Sequence, residues 1–248
     1  ITTADIPDII FTSFCNSRDF TKNGVLRVVH GGGPKQGMDA WAVLGSTRWI
    51  EGEALPEEGS FACEDADLDS TAPIAVGDLD PLGETDGRPE IVANHEDNGL
   101  VLFDHLGGRL DEVFLGDVSE GPNPAPAIAN LDGTGAAEII LGGSVFTLRR
   151  GNDGQLKFQD HFVGDSARGR NQQGAVSCVA DLMGLGHPQI IAGSTVYGLP
   201  RPPPGARTQN DCSNQGGQVQ PNDAEQEAFC SGRLTTHWDG PSVNGADA

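Results

Sequence analysis

Aromatic and basic side chains are scarce in this sequence of 248 residues, and each shortage excludes something. Only 6% of the residues are aromatic, whereas Gly (35) and Pro (16) are abundant. This composition favours many short strands and tight turns over long helices. Fifteen Lys and Arg stand against 36 Asp and Glu, for a formal net charge of −21. Such a surface repels phosphate backbones, and no basic cluster offsets it, so we expect no binding to nucleic acid.

Long apolar runs are also missing. No run approaches the roughly 18 apolar residues that a membrane helix needs, so we expect no membrane span. None resembles a signal peptide either. The chain begins with Ile rather than Met, and we expect a processed or truncated product whose targeting segment is absent. The length suits one large all-β domain or two smaller ones.

Cysteine pairs of the CxxC type are absent, which removes support for zinc or thioredoxin chemistry. Cys212 and Cys230 flank one polar loop and predict a local disulfide, while Cys15 and Cys63 are a second candidate pair. Disulfides persist in oxidising compartments, so we predict an exported protein that is extracellular, on the cell surface or periplasmic. Cys178 has the register of a small, buried strand residue.

Catalytic motifs are missing as well. The sequence contains no G-x-S-x-G, P-loop or Rossmann fingerprint. Its six His are scattered without an HExxH pattern. We therefore assign no catalytic residue and no histidine-based metal centre.

A motif of about fifty residues is repeated along the chain. Its three fullest copies are "PIAVGDLDPLGETDGRPEIV" (73–92), "APAIANLDGTGAAEII" (125–140) and "AVSCVADLMGLGHPQII" (175–191), and a partial copy is "ADIPDIIFTSF" (4–14). The equivalent positions Asp78, Asn130 and Asp181 are 52 and then 51 residues apart. A constant step of this length indicates a repeat architecture.

Each repeat predicts four short strands. In the second repeat these are "PIAVGDL", "EIVANH", "LVLFD" and "RLDEVF", with the turn segments "EDNG" and "HLGG" between the later ones. Asn-Gly and Gly-Gly turns between β-branched runs mark antiparallel hairpins. Four antiparallel strands every fifty residues are typical of a β-propeller blade, which buries its faces by stacking on neighbouring blades. A β-sandwich would not need this self-similarity.

The predicted fold is therefore all-β, a propeller of four-stranded antiparallel blades in one domain over 1–248. The repeat units cover 4–72, 73–124, 125–174 and 175–248, and an insertion at 201–231 interrupts the fourth unit between its last two strands. The chain holds about four blades. These close a ring of four or belong to a larger ring of six to eight, and we expect the larger ring.

The segments "AVGDLD…TDGRPEIV", "AIANLDGTGAAEII" and "CVADLMGLGHPQII" resemble the FG-GAP/VCBS repeat family, whose propellers include the one at the head of integrin α subunits. The resemblance implies calcium in the loop between the first two strands of a blade. It also implies an extracellular role in adhesion, in ligand recognition or as a scaffold beside enzyme domains.

The acidic loops supply the oxygen atoms that Ca²⁺ prefers, which number six to eight per ion. The candidate ligands in the second unit, with Glu84 as an extra and Gly87 at the bend, are Asp78, Asp80, Asp86 and Glu90. The candidate ligands in the third unit are Asn130, Asp132, Thr134 and Glu138. The competing interpretation is that Asp, Asn and Gly are ordinary turn formers here.

The other two loops are poorer in ligands. The fourth unit keeps Asp181 but has Met183, Leu185 and Gln189 where oxygen ligands would be wanted, so we expect no metal there. The first unit keeps only Asp5 and Asp8.

These observations predict a non-enzymatic, calcium-binding interaction, adhesion or scaffold module. The expected partner is a protein, a glycan, or further chains that complete the propeller or a homo-assembly. The alternative is a propeller lyase or hydrolase acting on polysaccharides, with its site in the channel or in blades missing from this chain. The insertion is either a tolerated decoration or a partner contact.

Overall fold

The computed structural model describes residues 6–15, 22–53, 63–80, 87–115, 124–133, 136–164, 170–171, 174–192, 195–198, 218–221 and 228–239. Within these ranges every regular element is a β-strand except two single-turn 3-10 helices, Gly33–Lys35 and Cys63–Asp65. The described ranges contain no helix long and apolar enough to cross a bilayer. The all-β prediction is confirmed.

The first two repeat units each form a four-stranded antiparallel sheet with the strands in chain order. The first sheet contains β1 (Ile9–Phe14), β2 (Gly24–Val29), β3 (Asp39–Leu44) and β4 (Thr47–Ile50). The second contains β5 (Ala75–Gly77), β6 (Glu90–His95), β7 (Gly99–Phe103) and β8 (Arg109–Phe114). The four strands predicted for the second unit are thus all present.

The third and fourth units repeat this arrangement. The third sheet contains β9 (Pro126–Ala129), β10 (Glu138–Leu141), β11 (Ser144–Arg150) and β12 (Leu156–Val163). A short hairpin follows, formed by β13 (Arg170–Asn171) and β14 (Gly174–Ala175). The fourth sheet contains β15 (Ser177–Ala180), β16 (Gln189–Ala192), β17 (Thr195–Gly198) and β20 (Thr235–Asp239). The prediction of four-stranded antiparallel blades is confirmed.

The interval between β17 and β20 includes the predicted insertion. The structure adds a feature that the polar sequence of the insertion did not indicate. Its strands β18 (Gln218–Pro221) and β19 (Ala228–Arg233) join the third sheet, where β19 runs parallel to β12. Because an open strand edge can pair with another chain, this addition shields the edge of β12. The predicted Cys212–Cys230 disulfide lies outside the described residues.

Local sequence explains the central hairpin of the second sheet. Every side chain of β7 and five of the six in β6 are buried, as expected for strands covered on both faces. Asn98, in the turn between them, has a φ of 64°. Asn tolerates this left-handed conformation, and the Asn-Gly pair sets the tight turn that joins the two strands.

One compact unit comprises residues 1–76 and 89–117. Its core lies between the first and second sheets and contains Trp41, Val43 and Phe103 among its buried side chains. Trp41 is only 5% exposed, and a Cβ at Gly107 would come within 2.8 Å of its ring. Trp41 thus lies on the third strand of the first sheet and packs in the core shared with the second sheet.

A segment at 66–72, which we call the stitching segment, connects the two sheets of this unit. Leu68 forms isolated bridges with Gly24 of β2 and with His95 of β6. The Gly24 amide donates to the Leu68 carbonyl at 2.8 Å, and the Asp69 amide donates to the Asn94 carbonyl at 2.9 Å. The stitching segment therefore pairs with the backbones of both sheets at once.

The second compact unit comprises residues 77–88 and 118–248. Its core joins the third sheet, through Ile140, Val145 and Phe162, to the fourth, through Ile190 and Tyr197. Tyr197 is fully buried. The pattern of the first unit is repeated, since an apolar layer again lies between two four-stranded sheets.

Cys178 corrects one expectation from the sequence. It was predicted to be buried, but it is an exposed, free cysteine on β15. The reason is topological, because β15 is an edge strand of the fourth sheet and two of its four residues are exposed.

The candidate pair Cys15 and Cys63 forms a disulfide across a sequence separation of 48 residues. We predict that replacing both by Ser lowers the free energy of unfolding by about 4 kcal/mol, because the cross-link restricts the unfolded chain. Urea unfolding followed by tryptophan fluorescence measures this. The control is C178S, which removes an exposed thiol and should change stability by less than about 0.5 kcal/mol. An unchanged midpoint in the double variant would contradict the prediction.

His161 should make the stability of the second compact unit sensitive to acid. It is 7% exposed, its ring stacks on Phe146 at 4.3 Å, and burial lowers its pKa to about 4. Between that value and the unfolded pKa of about 6.5, the unfolded state binds a proton that the folded state does not. Stability is therefore retained above about pH 6.5 and declines towards pH 4. Between pH 7 and pH 4.5, the free energy of unfolding should fall by about 2 kcal/mol less in H161Q than in wild type. Chemical unfolding at a series of pH values measures this. An equal fall in the two proteins would refute the prediction.

Candidate functional site

The loop between β9 and β10 brings two of the predicted ligands of the third unit to backbone amides. The Leu131 amide donates to Glu138 Oε2 at 2.6 Å, and the Gly133 amide donates to Asn130 Oδ1 at 2.5 Å. Gly133 has a φ of 75°, which lets the chain reverse sharply after Asp132. Asn130 and Glu138 are thus fixed at the two ends of one tight turn.

Glu138 is the most perturbed carboxyl group of this loop. It is 3% exposed, and this burial raises its pKa to about 8, with a further increase from the charge of Asp132 and an opposing effect of the Leu131 amide. A carboxylate at this position is costly unless positive charge is supplied nearby. The oxygens of Asn130, Asp132 and Glu138 are hard donors of the kind that Ca²⁺ takes. In donor chemistry these three residues suit the ion, and calcium binding here stays a prediction. Thr134 lies outside the described residues.

In the second unit, a positive charge already meets one predicted ligand. Asp80 is 6% exposed, and its Oδ1 accepts a hydrogen bond from an Arg150 guanidinium NH2 at 2.6 Å. Arg150 is the last residue of β11 and also donates to the Gly154 carbonyl at 2.8 Å. Asp78 Oδ1 accepts the Asp80 amide at 3.2 Å, which closes a local turn.

Sequence reasoning missed Arg150 because it lies 70 residues from Asp80. The available signal was the pair Arg149-Arg150 at a strand end in a strongly acidic chain. Because Arg150 compensates Asp80, the structure gives Asp80 a partner other than a metal ion.

The remaining predicted ligands of the second repeat belong to different compact units or lie outside the described residues. Glu90 begins β6, is 7% exposed and belongs to the compact unit of residues 1–76 and 89–117. Asp78 and Asp80 belong to the other compact unit. Asp86 and Glu84 lie outside the described residues. A calcium site formed by Asp78, Asp80, Asp86 and Glu90 stays a prediction.

The fourth loop is closed by its own backbone. The two carboxylate oxygens of Asp181 accept the amides of Leu185 and Gly186 at 2.8 and 2.9 Å. These hydrogen bonds, that of Leu185 first, lower the pKa of Asp181. Gln189 takes the place of Glu138, is fully buried, and accepts the Met183 amide through Oε1 at 3.1 Å. A neutral amide satisfies this turn without any charge to compensate.

The first unit uses its remaining acid in the same local way. Asp8 Oδ1 accepts the Gly31 amide at 3.1 Å and lies 3.6 Å from His30 Nδ1. Asp5 lies outside the described residues. Across the described ranges, no group of three or more His, Cys, Asp or Glu side chains is placed to share a metal ion. The third loop contributes only two residues of these types, since its other donors are Asn and Thr.

Comparison with known proteins finds one similar solved structure and no matching family. No family model matches the sequence, and no curated protein matches it. Among solved structures, the crystal structure of the V. cholerae biofilm matrix protein Bap1 is similar to this chain, with 19% sequence identity and a TM-score of 0.48. The match covers 78% of this chain and 26% of that protein, so it spans about a quarter of its length.

We predict that R150Q destabilises the second compact unit by about 1–3 kcal/mol, because it leaves the buried Asp80 carboxylate without its charged partner. Arg150 is itself 36% exposed at its side chain, so solvent screening keeps the loss at the lower end of that range. The adjacent R149Q is the control for the change of charge. The double variant R150Q/D80N should recover much of the loss. Equal unfolding midpoints for R150Q and R149Q would disprove the role of the pair.

Proposed function

We propose that this chain is an exported, calcium-stabilised, propeller-type module that serves as a non-enzymatic scaffold or interaction element. The observation that carries the proposal is the buried Glu138 carboxyl group, held beside Asn130 and Asp132 in one turn. The partner would be a protein or a glycan.

Calcium binding is supported by the contrast between the third and fourth loops. Both join the first two strands of their repeat, and both bury the residue that opens the second strand. That residue is Glu138 in one loop and Gln189 in the other. Only the loop with the acid would gain from an added positive charge, because a nearby cation would stabilise the ionised form of Glu138, and it keeps the oxygen donors Asn130 and Asp132. A bound calcium ion would supply that charge.

Export is supported by the Cys15–Cys63 disulfide. Such bonds form and persist in oxidising compartments and are rare in reducing ones. This one joins the end of β1 to the 3-10 helix that precedes the stitching segment, and therefore secures the first compact unit.

A scaffold role is supported by how the acids of the loops are used. Asp181 and Asp8 bond the backbone of their own unit, and Asp80 pairs with Arg150. These contacts close turns and tie strands together. The carboxylates thus stabilise turns and strands, as structural groups are expected to do.

Differential scanning calorimetry at pH 7, in excess calcium and in excess EGTA, tests the proposal. Wild type should melt several degrees higher with calcium, since an ion that binds only the folded state stabilises it. E138Q should lose most of this difference, because the neutral side chain resembles Gln189 and removes the charged ligand.

The control for loop damage is D181N. It removes an acceptor of backbone amides in the fourth loop and should lower the melting temperature equally with and without calcium. If wild type melts at the same temperature in calcium and EGTA, or if D181N removes the calcium effect as fully as E138Q, the proposed calcium role is wrong.

A further inference from the structure

The first compact unit contains a cavity of about 430 Å³ between two hairpin turns. One wall is the β3–β4 turn, with Gly45 and Ser46, and the other is the β7–β8 turn, with Gly107. Charged side chains complete the lining, namely Arg48, Glu53 and Arg109. The volume lies within the range of small-molecule sites. All these residues belong to the same compact unit.

Arg48 is anomalous in so acidic a chain. Arg27, Arg109 and Arg150 each lie 2.6 Å from a carboxylate oxygen. Arg48 forms no ion pair with any residue in the described ranges, and its NH1 reaches only the Leu106 carbonyl, at the long distance of 3.5 Å. With 36 acidic residues available, an exposed guanidinium beside a cavity is poised for a carboxylate from outside the chain.

On the opposite wall, Arg109 is already engaged by two carboxylates. Arg109 donates to Asp67 and to Glu112, both at 2.6 Å. Asp104 Oδ1 accepts the amides of Leu106 and Gly108 at 2.8 and 2.7 Å, which fixes the β7–β8 turn. The β7–β8 turn is therefore held by its own hydrogen bonds, and Arg48 is the lining cation that has no described carboxylate partner.

Glu53 supplies the complementary function. Its Oε2 accepts the Ile50 amide at 3.2 Å, which holds the carboxylate at the cavity. As an acceptor it can bind hydroxyl groups, and the Ser46 hydroxyl and the turn backbone add further polar partners. The lining is thus suited to a ligand with one carboxylate and several hydroxyls. The nearby Glu53, Asp67 and Glu112 disfavour a more highly charged anion.

We propose that this cavity binds a sugar acid of the uronate class, with its carboxylate on the Arg48 guanidinium and its hydroxyls towards Glu53. This inference rests on the proposed interaction role and names the ligand class for it. At physiological salt the screening length is about 8 Å, so charges farther than this from Arg48 contribute little to binding. The cavity lies in the first compact unit, whereas the proposed calcium loop lies in the second. Failure of the calcium test would therefore not decide whether the cavity binds a sugar acid.

The experiment is a titration of the whole chain with D-glucuronate, followed by isothermal calorimetry or saturation-transfer NMR. We expect saturable binding with a dissociation constant of about 1 mM, as for a single small ligand with few contacts. D-glucose lacks the carboxylate, and acetate lacks the ring and its hydroxyls. Both should bind at least tenfold more weakly.

Variants locate the site. R48Q should weaken glucuronate binding at least tenfold, and R48K should fall between it and wild type, because Lys keeps the charge but loses the planar fork. R149Q, which changes the charge equally in the other compact unit, should bind as wild type does. E53Q should weaken binding several-fold. Melting curves confirm that each variant is folded.

Three results would overturn the proposal. These are no saturable binding of glucuronate, equal binding of glucose and glucuronate, and wild-type affinity in R48Q. Tighter binding of glycine than of glucuronate, abolished by E53Q, would show instead that Arg48 and Glu53 form a zwitterion site and would also refute the sugar-acid assignment.

Discussion

The packing of one four-stranded sheet on the next is the interaction on which the described structure depends. A single sheet of this kind has two faces and cannot bury both by itself. In the first compact unit the apolar layer includes Trp41 and Phe103, and in the second it includes Phe162 and Tyr197. At roughly 25 cal/mol per Å² of buried apolar surface, these layers are the main source of stability. The turns can then vary, because the strands are held by their faces.

Charge compensation is the second constraint, and it is met differently in each repeat. The carboxylate of Asp181 uses backbone amides, and that of Asp80 uses a guanidinium from another sheet. Glu138 has an amide but keeps a raised pKa, which is why the calcium proposal centres on it. The equivalent loops of the three repeats therefore compensate their acids differently. Arg48 is the reverse case, a cation without a described carboxylate partner, and it suggests where an outside anion binds.

The repeat made most of the fold predictable. Asn-Gly turns and alternating β-branched runs indicated the strands, and the fifty-residue step indicated blades. The candidate ligands could be placed on loops, but their partners could not. Arg150 comes from a strand 70 residues away, and Leu68 bridges two sheets from a segment without a repeat signal. Cys178 was predicted to be buried because its register was known, whereas its edge position depends on which strands are neighbours.

The sequence by itself determined the all-β class and the repeat of four antiparallel strands, because these depend on local periodicity and turn residues. Only the tertiary structure decided that β19 pairs with β12, that Asp80 meets Arg150 and that Arg48 lines a cavity. Those outcomes depend on contacts between residues distant along the chain. Short-range patterns record which residues face the core, but they do not record which distant side chain or strand will lie opposite.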